Sequence, residues 1–393
     1  MALAENQTAP RIIVSAAPNF IPTMALQIVP YEPHHTAAVA AFNRRAEASG
    51  APFGLSKTAR PEWLPWMEGC ALYRQYFLAL DGAEVRGGFI LRQQPFWLND
   101  VVRSAANYQG PLSEGLWDRR YMMAGVQILR TALREQPFLY ALGMGGLAQP
   151  FPKLLASAGW TLRPVPFLFK VLRPARFLRH IRPLHRTRMR ALMADLAAWS
   201  GLGFLAIHSA QWWQRQRRPD TACHAGVVTE FGPWADRIWE QARAEYRFCA
   251  VRDRAVQNTL FGDGNAKNIV LHCRRAGASV GWAVVRSTQM RGDQYFGDLR
   301  VGSLVDALAV PGEEFVVVQL AVAHLQNLGS DLVVTNQSHR LWVAALQANG
   351  FFNGPSNFIF ACSPALAAEL GDADQFLGAI HFNRADGDGP IHL

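Results

Sequence analysis

Four side chains combine acid–base chemistry with a setting that would use it. Asp306 lies between Leu304, Val305, Ala307 and Leu308, so its carboxylate is paired, placed at an edge, or raised in pKa for proton work. Asp298 belongs to the same stretch, Tyr295 to Ala309, which otherwise reads as an apolar strand; Arg300 is a nearby cation that would pair with such an acid. His339 follows the next apolar run and titrates in the range of a proton shuttle, although a histidine opening a helix is equally at home in solvent. In the first half of the chain Glu114 is the carboxylate nearest a strand end, and it is the candidate base there. Candidate ligand-binding residues sit at strand ends too. Asn107 and Tyr108 precede a helical stretch, and Leu142-Gly143-Met144-Gly145-Gly146 is a glycine-rich turn. There Gly143, Gly145 and Gly146 either admit a ligand close to the backbone or supply positive φ. Asn336 either caps the following helix or hydrogen-bonds an amide of a ligand.

No metal is expected. The pairs Cys223-His224 and His272-Cys273 lack the spacing of a ligand set, and the five scattered cysteines read as buried apolar residues in a reducing compartment. The charge is more telling. The chain carries 39 basic and 30 acidic residues, net +9, with only four lysines. Ten arginines between Arg173 and Arg218 face one acid, Asp195, so this segment holds the whole excess. A local arginine patch points to an anionic partner, with Arg173, Arg176, Arg179, Arg182, Arg215, Arg217 and Arg218 as its forks; a solvated linker is the plain alternative. Trp212-Trp213 beside Arg215, Arg217 and Arg218 would suit stacking plus phosphate contact with a nucleic acid such as tRNA, or a packing anchor at a domain edge.

The elements that must position these residues occur twice. A strand, Gln75 to Leu80, turns at Asp81-Gly82 into Val85 to Arg92; likewise Ile269 to Cys273 turns at Ala276-Gly277 into Val280 to Arg286. Helical stretches follow, Leu116 to Leu133 and Glu314 to Leu328, then short strands, Phe138 to Leu142 and Leu332 to Thr335. Second helices end at Gly159-Trp160 and Gly350-Phe351, and each copy closes with an apolar strand, Pro166 to Leu172 or Asn357 to Cys362. Opening strands and helices fit at Leu26 to Val29 with His34 to Ala46, and at Val227 to Phe231 with Trp234 to Arg247. The turn glycines Gly82 and Gly277 are 195 positions apart and the helix-stop glycines Gly159 and Gly350 are 191 apart, as two copies of one unit require.

The expected organisation is an N-terminal extension 1–25, with Met1 or Met24 as the start, a first α/β domain 26–172 and an arginine-rich helical linker 173–218. A second α/β domain 219–364 and a loose tail 365–393 complete it. At 393 residues, half of them hydrophobic and 18% charged, the chain is neither disordered nor a coiled coil. It has no uninterrupted apolar run of membrane-spanning length, and a cytoplasmic location is the default expectation.

The order strand, helix, hairpin, strand, helix, strand, helix, Gly-aromatic, strand resembles the GNAT superfamily of acyl-CoA-dependent N-acyltransferases. The resemblance covers Leu26 to Leu172 and Val227 to Cys362, and implies a mixed-sheet α/β fold in tandem. It implies acyl-CoA or acetyl-CoA as co-substrate and a small-molecule amine or sugar-amine as acceptor. In that family two central strands splay, their backbone groups hold the pantetheine arm, and a helix N-terminus takes the pyrophosphate. On this resemblance Asn107, Tyr108, Gly143, Gly145, Gly146 and Asn336 would lie against the carrier, with Ser113 capping the phosphate-binding helix.

The chain departs from the family at two places. The pyrophosphate loop is replaced by Gly110-Pro-Leu-Ser-Glu-Gly115 in the first copy, and by Val310-Pro-Gly-Glu-Glu314 in the second, where Glu313 and Glu314 would repel an anion. The thiolate-protonating tyrosine is replaced by Leu155 and Leu346. Three functions remain: an acyl-CoA N-acyltransferase with one active and one degenerate domain, a Fem-type transferase using aminoacyl-tRNA, or a degenerate acyltransferase acting as a binding subunit.

Overall fold

The computed structural model of the chain describes residues 26–51, 53–181, 209, 222–262, 267–372 and 375–387. Arg182, Arg215, Arg217, Arg218 and the Trp212-Trp213 pair lie outside the described residues.

The first half runs β1 (Gln27–Pro30), α1 (Thr36–Ala48), β2 (Tyr73–Asp81), β3 (Glu84–Leu98), β4 (Val101–Ser113), α2 (Ala124–Glu135), β5 (Leu139–Gly143), α3 (Pro150–Ser157), β6 (Thr161–Pro164), β7 (Phe167–Val171) and α4 (Pro174–His180). The second half opens with β8 (Cys223–Val228), α5 (Pro233–Ala242), β9 (Phe248–Ala250) and α6 (Arg254–Phe261), followed by β10 (Ile269–Arg275), β11 (Ala278–Gln289) and β12 (Arg300–Ala309). It continues with α7 (Glu314–Asn327), β13 (Leu332–Asn336), α8 (Arg340–Ala348), β14 (Phe352–Gly354), β15 (Ile359–Cys362), α9 (Pro364–Leu370) and β16 (Ile380–His381).

The two halves build two mixed sheets with one topology and trade their last strands. Sheet one is ordered β1-β2-β3-β4-β5-β15-β6, and sheet two β8-β10-β11-β12-β13-β7-β14. Thus β15 of the second half runs between β5 and β6 of the first, and β7 of the first runs between β13 and β14 of the second. β15 is a fully buried apolar run, as a strand covered on both faces requires, whereas β7 is half-buried and carries Lys170, which donates to the Asn349 carbonyl (2.5 Å). β9 and β16 extend sheet one further, with Phe96 opposite Ala250. An aromatic core forms where the halves meet: Phe96, Phe248, Phe360 and Phe382 pack with centroid separations of 4.5 to 5.9 Å.

Several sequence expectations shift. The helix expected from Leu116 starts at Ala124; residues 114–121 form two short 3-10 turns because Asp118 caps the second through the N–H of Arg120. The opening strand of the second half is Cys223–Val228, not Val227 to Phe231, because Pro233 already opens α5 and leaves residues 229–232 as the connection. Asp298 lies in the loop before β12 rather than in a strand. The described residues between Pro364 and Gly387 are not loose: Leu366, Leu370, Phe376, Ile380 and Phe382 are buried in the core between the halves, and that apolar content holds them; 388–393 lie outside the described residues. Among the described residues no helix is long and apolar enough to cross a membrane.

Candidate active site

Each sheet opens at the same place. β4 and β5 pair in parallel only at Ala106–Leu139 and Asn107–Tyr140, although β4 runs on for six more residues. β12 and β13 pair only from Val301–Leu332 to Ser303–Val334, and β12 runs on to Ala309. Past these points the strands diverge and leave a slot edged by backbone groups. A bulge marks each slot, near Gly110 in β4 and at Val305 in β12, again 195 positions apart. Gly110 takes a φ of +52° there, which suits glycine.

The second slot is filled by its own chain. The Thr335 hydroxyl donates to the Leu304 carbonyl (2.9 Å), His381 Nε2 lies 3.1 Å from the Ala307 carbonyl, and the Ala307 N–H donates to the Asp306 carboxylate (2.9 Å). Asp306, 1% exposed, also accepts from Arg252 Nε (3.0 Å) and Asn383 Nδ2 (2.5 Å). Burial raises its pKa and the charge of Asp386 adds to this, while Arg252 and Asn383 pull the other way. Arg252 also donates to Asp386 (2.8 Å), so one buried guanidinium holds two carboxylates. The pairing partner is therefore Arg252, not Arg300.

The helix N-terminus beside this slot is likewise occupied. Glu314 is buried in the first turn of α7, and its carboxylate takes hydrogen bonds from the backbone of Glu314 and Gly312; burial raises its pKa against these bonds. Glu313 accepts from Arg275 (2.5 Å). Two carboxylates thus stand where an anion would dock.

The first slot differs. No side chain among the described residues bonds the backbone of residues 108–112. On one face Tyr108 turns into the core under α2 and α3, packed on Phe89, Phe151 and Trp160, and desolvation drives its hydroxyl pKa far up. On the other face Asn107 Nδ2 donates to the carbonyls of Asp386 (3.1 Å) and Gly387 (3.2 Å), and Gln109 Nε2 to that of Gly387 (3.1 Å). Arg92 donates to Ala385 (3.1 Å), to Asp386 (2.5 Å) and to the Tyr140 hydroxyl (3.1 Å), which itself donates to the Asp386 carbonyl (3.1 Å). The second half's C-terminal segment thereby floors the first half's slot.

At the end of β4, Ser113 lies against the start of α2: a Cβ on Gly125 would be 3.6 Å from its hydroxyl oxygen. Ser113 makes no side-chain cap, and neither does Met123 at the α2 N-cap, so the first N–H groups of that helix have no side-chain acceptor there. Glu114, 4% exposed, accepts from Arg45 (2.9 and 3.1 Å) and Arg86 (3.0 Å). Burial would raise its pKa, but the two guanidinium groups outweigh that and hold it below the usual carboxylate range.

The remaining candidates scatter. Gly143, Met144, Gly145 and Gly146 all have positive φ (+88°, +64°, +70°, +107°), so this run is a left-handed turn, with Gly143 and Gly146 placed against Phe358 and Asn357. Asn336 caps nothing; its amide donates to the Pro166 carbonyl (3.4 Å), fastening the connection into β7. His339 is 1% exposed rather than solvated, its ring edge-on to Tyr246 at 4.8 Å. Desolvation and the neighbouring Arg340 push its pKa down to about 4, against a small opposing pull from the Glu245 backbone. Asp298, with a side chain 58% exposed, accepts from the Gly292 N–H (2.7 Å) in a surface turn. Of the basic segment, Arg173 and Arg176 reach the buried Asp331 (3.4 and 3.6 Å). The structure thus gathers Asn107 and Ser113 at one slot, with Tyr108 facing the opposite core, and Asp306 and Asn336 at the other. Sequence reasoning missed Arg92, Tyr140, Arg252 and the 383–387 segment, and no local motif announces them.

No protein-family model and no curated protein matches the sequence. Among solved structures, the chain is similar to a GCN5-related N-acetyltransferase from Anabaena variabilis, at 10% identity and a TM-score of 0.51, over 86% of this chain and 72% of that one. It is also similar to Saccharomyces cerevisiae N-myristoyltransferase with bound myristoyl-CoA, at 8% identity and a TM-score of 0.45, over 91% and 82% of the two chains. Identity this low speaks for architecture alone. With the doubled strand order and the paired splays, it establishes a mixed α/β chain of the GNAT fold in tandem, its two copies interlocked by exchanged strands.

Proposed function

We propose that the chain is an N-acyltransferase that uses an acyl-CoA-type thioester at the first slot and keeps the second as scaffold. The observation that carries this reading is the asymmetry between the slots. In the second, Thr335, His381 and Asp306 occupy slot backbone and Glu314 occupies the helix N-terminus. In the first, the backbone of residues 108–112 has no side-chain partner among the described residues, and α2 begins beside Ser113. Strand backbone can pair with the two amides of a pantetheine arm, and the α2 N–H groups, with Ser113, favour a pyrophosphate. Such a carrier would lead its thioester toward Asn107 and Tyr140, where the splay closes.

Transfer to an amine then needs a neutral nucleophile, a polarised thioester carbonyl and a proton for the thiolate. Hydrogen-bond donors already converge there: Arg92, Asn107 and Gln109 hold backbone carbonyls of 385–387 in fixed positions, so the floor of the slot is preorganised. Leu155 is fully buried where the family's tyrosine would stand, so the proton must come from elsewhere. Glu114, bound by two arginines, fits a positioning role better than that of a free base. Nothing about Arg173 and Arg176, both turned to Asp331, favours the aminoacyl-tRNA reading.

Calorimetric titration with acetyl-CoA and longer acyl-CoAs tests the proposal. One site per chain is expected. A Cβ on Gly125 meets only ordinary van der Waals contacts, so G125E, checked for an unchanged Tm, places a carboxylate at the α2 N-terminus, as Glu314 does in α7. G125E should weaken acyl-CoA binding by about tenfold or more, and E314Q should leave it unchanged. Equal loss in both variants, or no binding by the parent at millimolar ligand, would defeat the reading.

A further inference from the structure

The main paths of the two sheets end in four strands: β1 and β6 in sheet one, β14 and β8 in sheet two. Three of these edges are short and blunted. β1 and β6 have four residues each and finish in Pro30 and Pro164, and β14 has three, with Pro355 next in the chain. Proline brings no N–H to a ladder, and a short edge leaves little to pair with. β8 has neither protection. It runs six residues, Cys223–Val228, and includes no proline and no Lys, Arg, Asp or Glu.

The strand is also regular. It pairs antiparallel with β10 from Cys223–Arg275 to Val228–Val270 without a shift in register. On the side away from β10, the backbone of His224 to Val228 bonds no residue among those described. A regular edge without charge or proline is a template for one more strand. Its side chains leave room for that strand. His224 and Gly226 are exposed, and a Cβ on Gly226 would meet nothing within 4 Å. Val227 is 61% exposed, although Leu271, opposite it on β10, is fully buried. The apolar surface therefore runs out to this edge uncovered.

We infer that β8 is an interface at which a second copy of this chain adds its own β8, joining two seven-stranded sheets into one. A two-fold axis makes such a pair antiparallel and self-complementary, so each outward N–H meets a carbonyl of the same sequence. With Gly226 on the axis, Val227 of each copy lies beside Ala225 of the other, and no side chain crowds the centre. At neutral pH β8 has no charge with which to select an unlike partner, so its own sequence is the complement it fits. This inference does not rest on the acyl-transfer reading.

The test is sedimentation equilibrium of the full chain from micromolar to several hundred micromolar, in the parent, in V227K and in V101K. Val227 and Val101 are both exposed, so both variants should keep the parent's Tm. The expected result is a mass that rises toward two chains in the parent and in V101K. Association should weaken tenfold or more in V227K, which puts a lysine from each copy into the new pairing. Amide exchange at residues 224–228 should slow as the parent is concentrated. A parent that stays monomeric throughout overturns the inference, and so does association undiminished in V227K. Protection at 224–228 that is independent of concentration overturns it too, because the chain's own residues would then cover the edge.

Discussion

Buried polar groups at single positions carry the largest energetic stakes. Arg252 stands between Asp306 and Asp386 with all three nearly inaccessible. Removing the guanidinium leaves two facing carboxylates without compensation, so R252M should destabilise the protein by about 3–5 kcal/mol in urea unfolding. Adding D306N and D386N should restore a large part of that loss; failure to do so would mean that Arg252 matters through packing. His339 has a pH signature. Its pKa is about 4 in the fold against the ordinary 6.5, so it stays neutral when folded and protonates more readily once unfolded. Its contribution to stability is therefore complete above pH 6.5 and is lost as the pH falls toward 4, by an amount on the order of 3 kcal/mol. His272, also lowered to about 4, adds in the same sense. Stability measured from pH 7 to 4 should fall more steeply in the parent than in H339Q. At this scale the sequence was legible only in part. Asp306, flanked by apolar residues, reads as paired, at an edge or raised in pKa, with Arg300 the nearby cation; its actual partner, Arg252, lies 54 positions away and has no local signature. His339 looked like a solvated helix start because nothing near it in the chain shows that Tyr246 and the second half's core close over it.

The secondary-structure elements were legible where periodicity is local, and failed where pairing is long-range. Both hairpins and both helix-stop glycines follow from alternation and turn chemistry, whereas the splay is implied only by the family resemblance. The destination of β7 and β15 does not, because an apolar run that pairs within its own copy looks identical to one that crosses. Helix α2 starts eight residues later than expected since the 114–121 turns read as amphipathic helix until the Asp118 cap breaks them. The exchange makes a firm prediction. Residues 1–221 lack the strand that joins β5 to β6, and residues 222–393 lack the strand between β13 and β14. Each fragment alone should show weak near-ultraviolet circular dichroism and broad, uncooperative unfolding, and mixing them should restore a cooperative transition. Fragments that fold independently would argue against the exchange.

On the proposed acyl-transfer reading the two copies divide labour. The GNAT topology is kept twice, yet the second copy satisfies its own slot backbone and places Glu314 at the N-terminus of its own α7, and its C-terminal residues 383–387 form the floor of the first slot. Each half is thus incomplete without the other, which explains why a doubled unit persists when one slot is closed. Of the arginine surplus, Arg173 and Arg176 face Asp331, just before β13. If an acyl thioester enters the first slot only, hydrogen–deuterium exchange with and without a bound acyl-CoA should show added protection at residues 107–113, 123–127 and 139–145, with 304–309 and 313–317 unchanged. Protection confined to the second set would mean that the ligand enters the other slot.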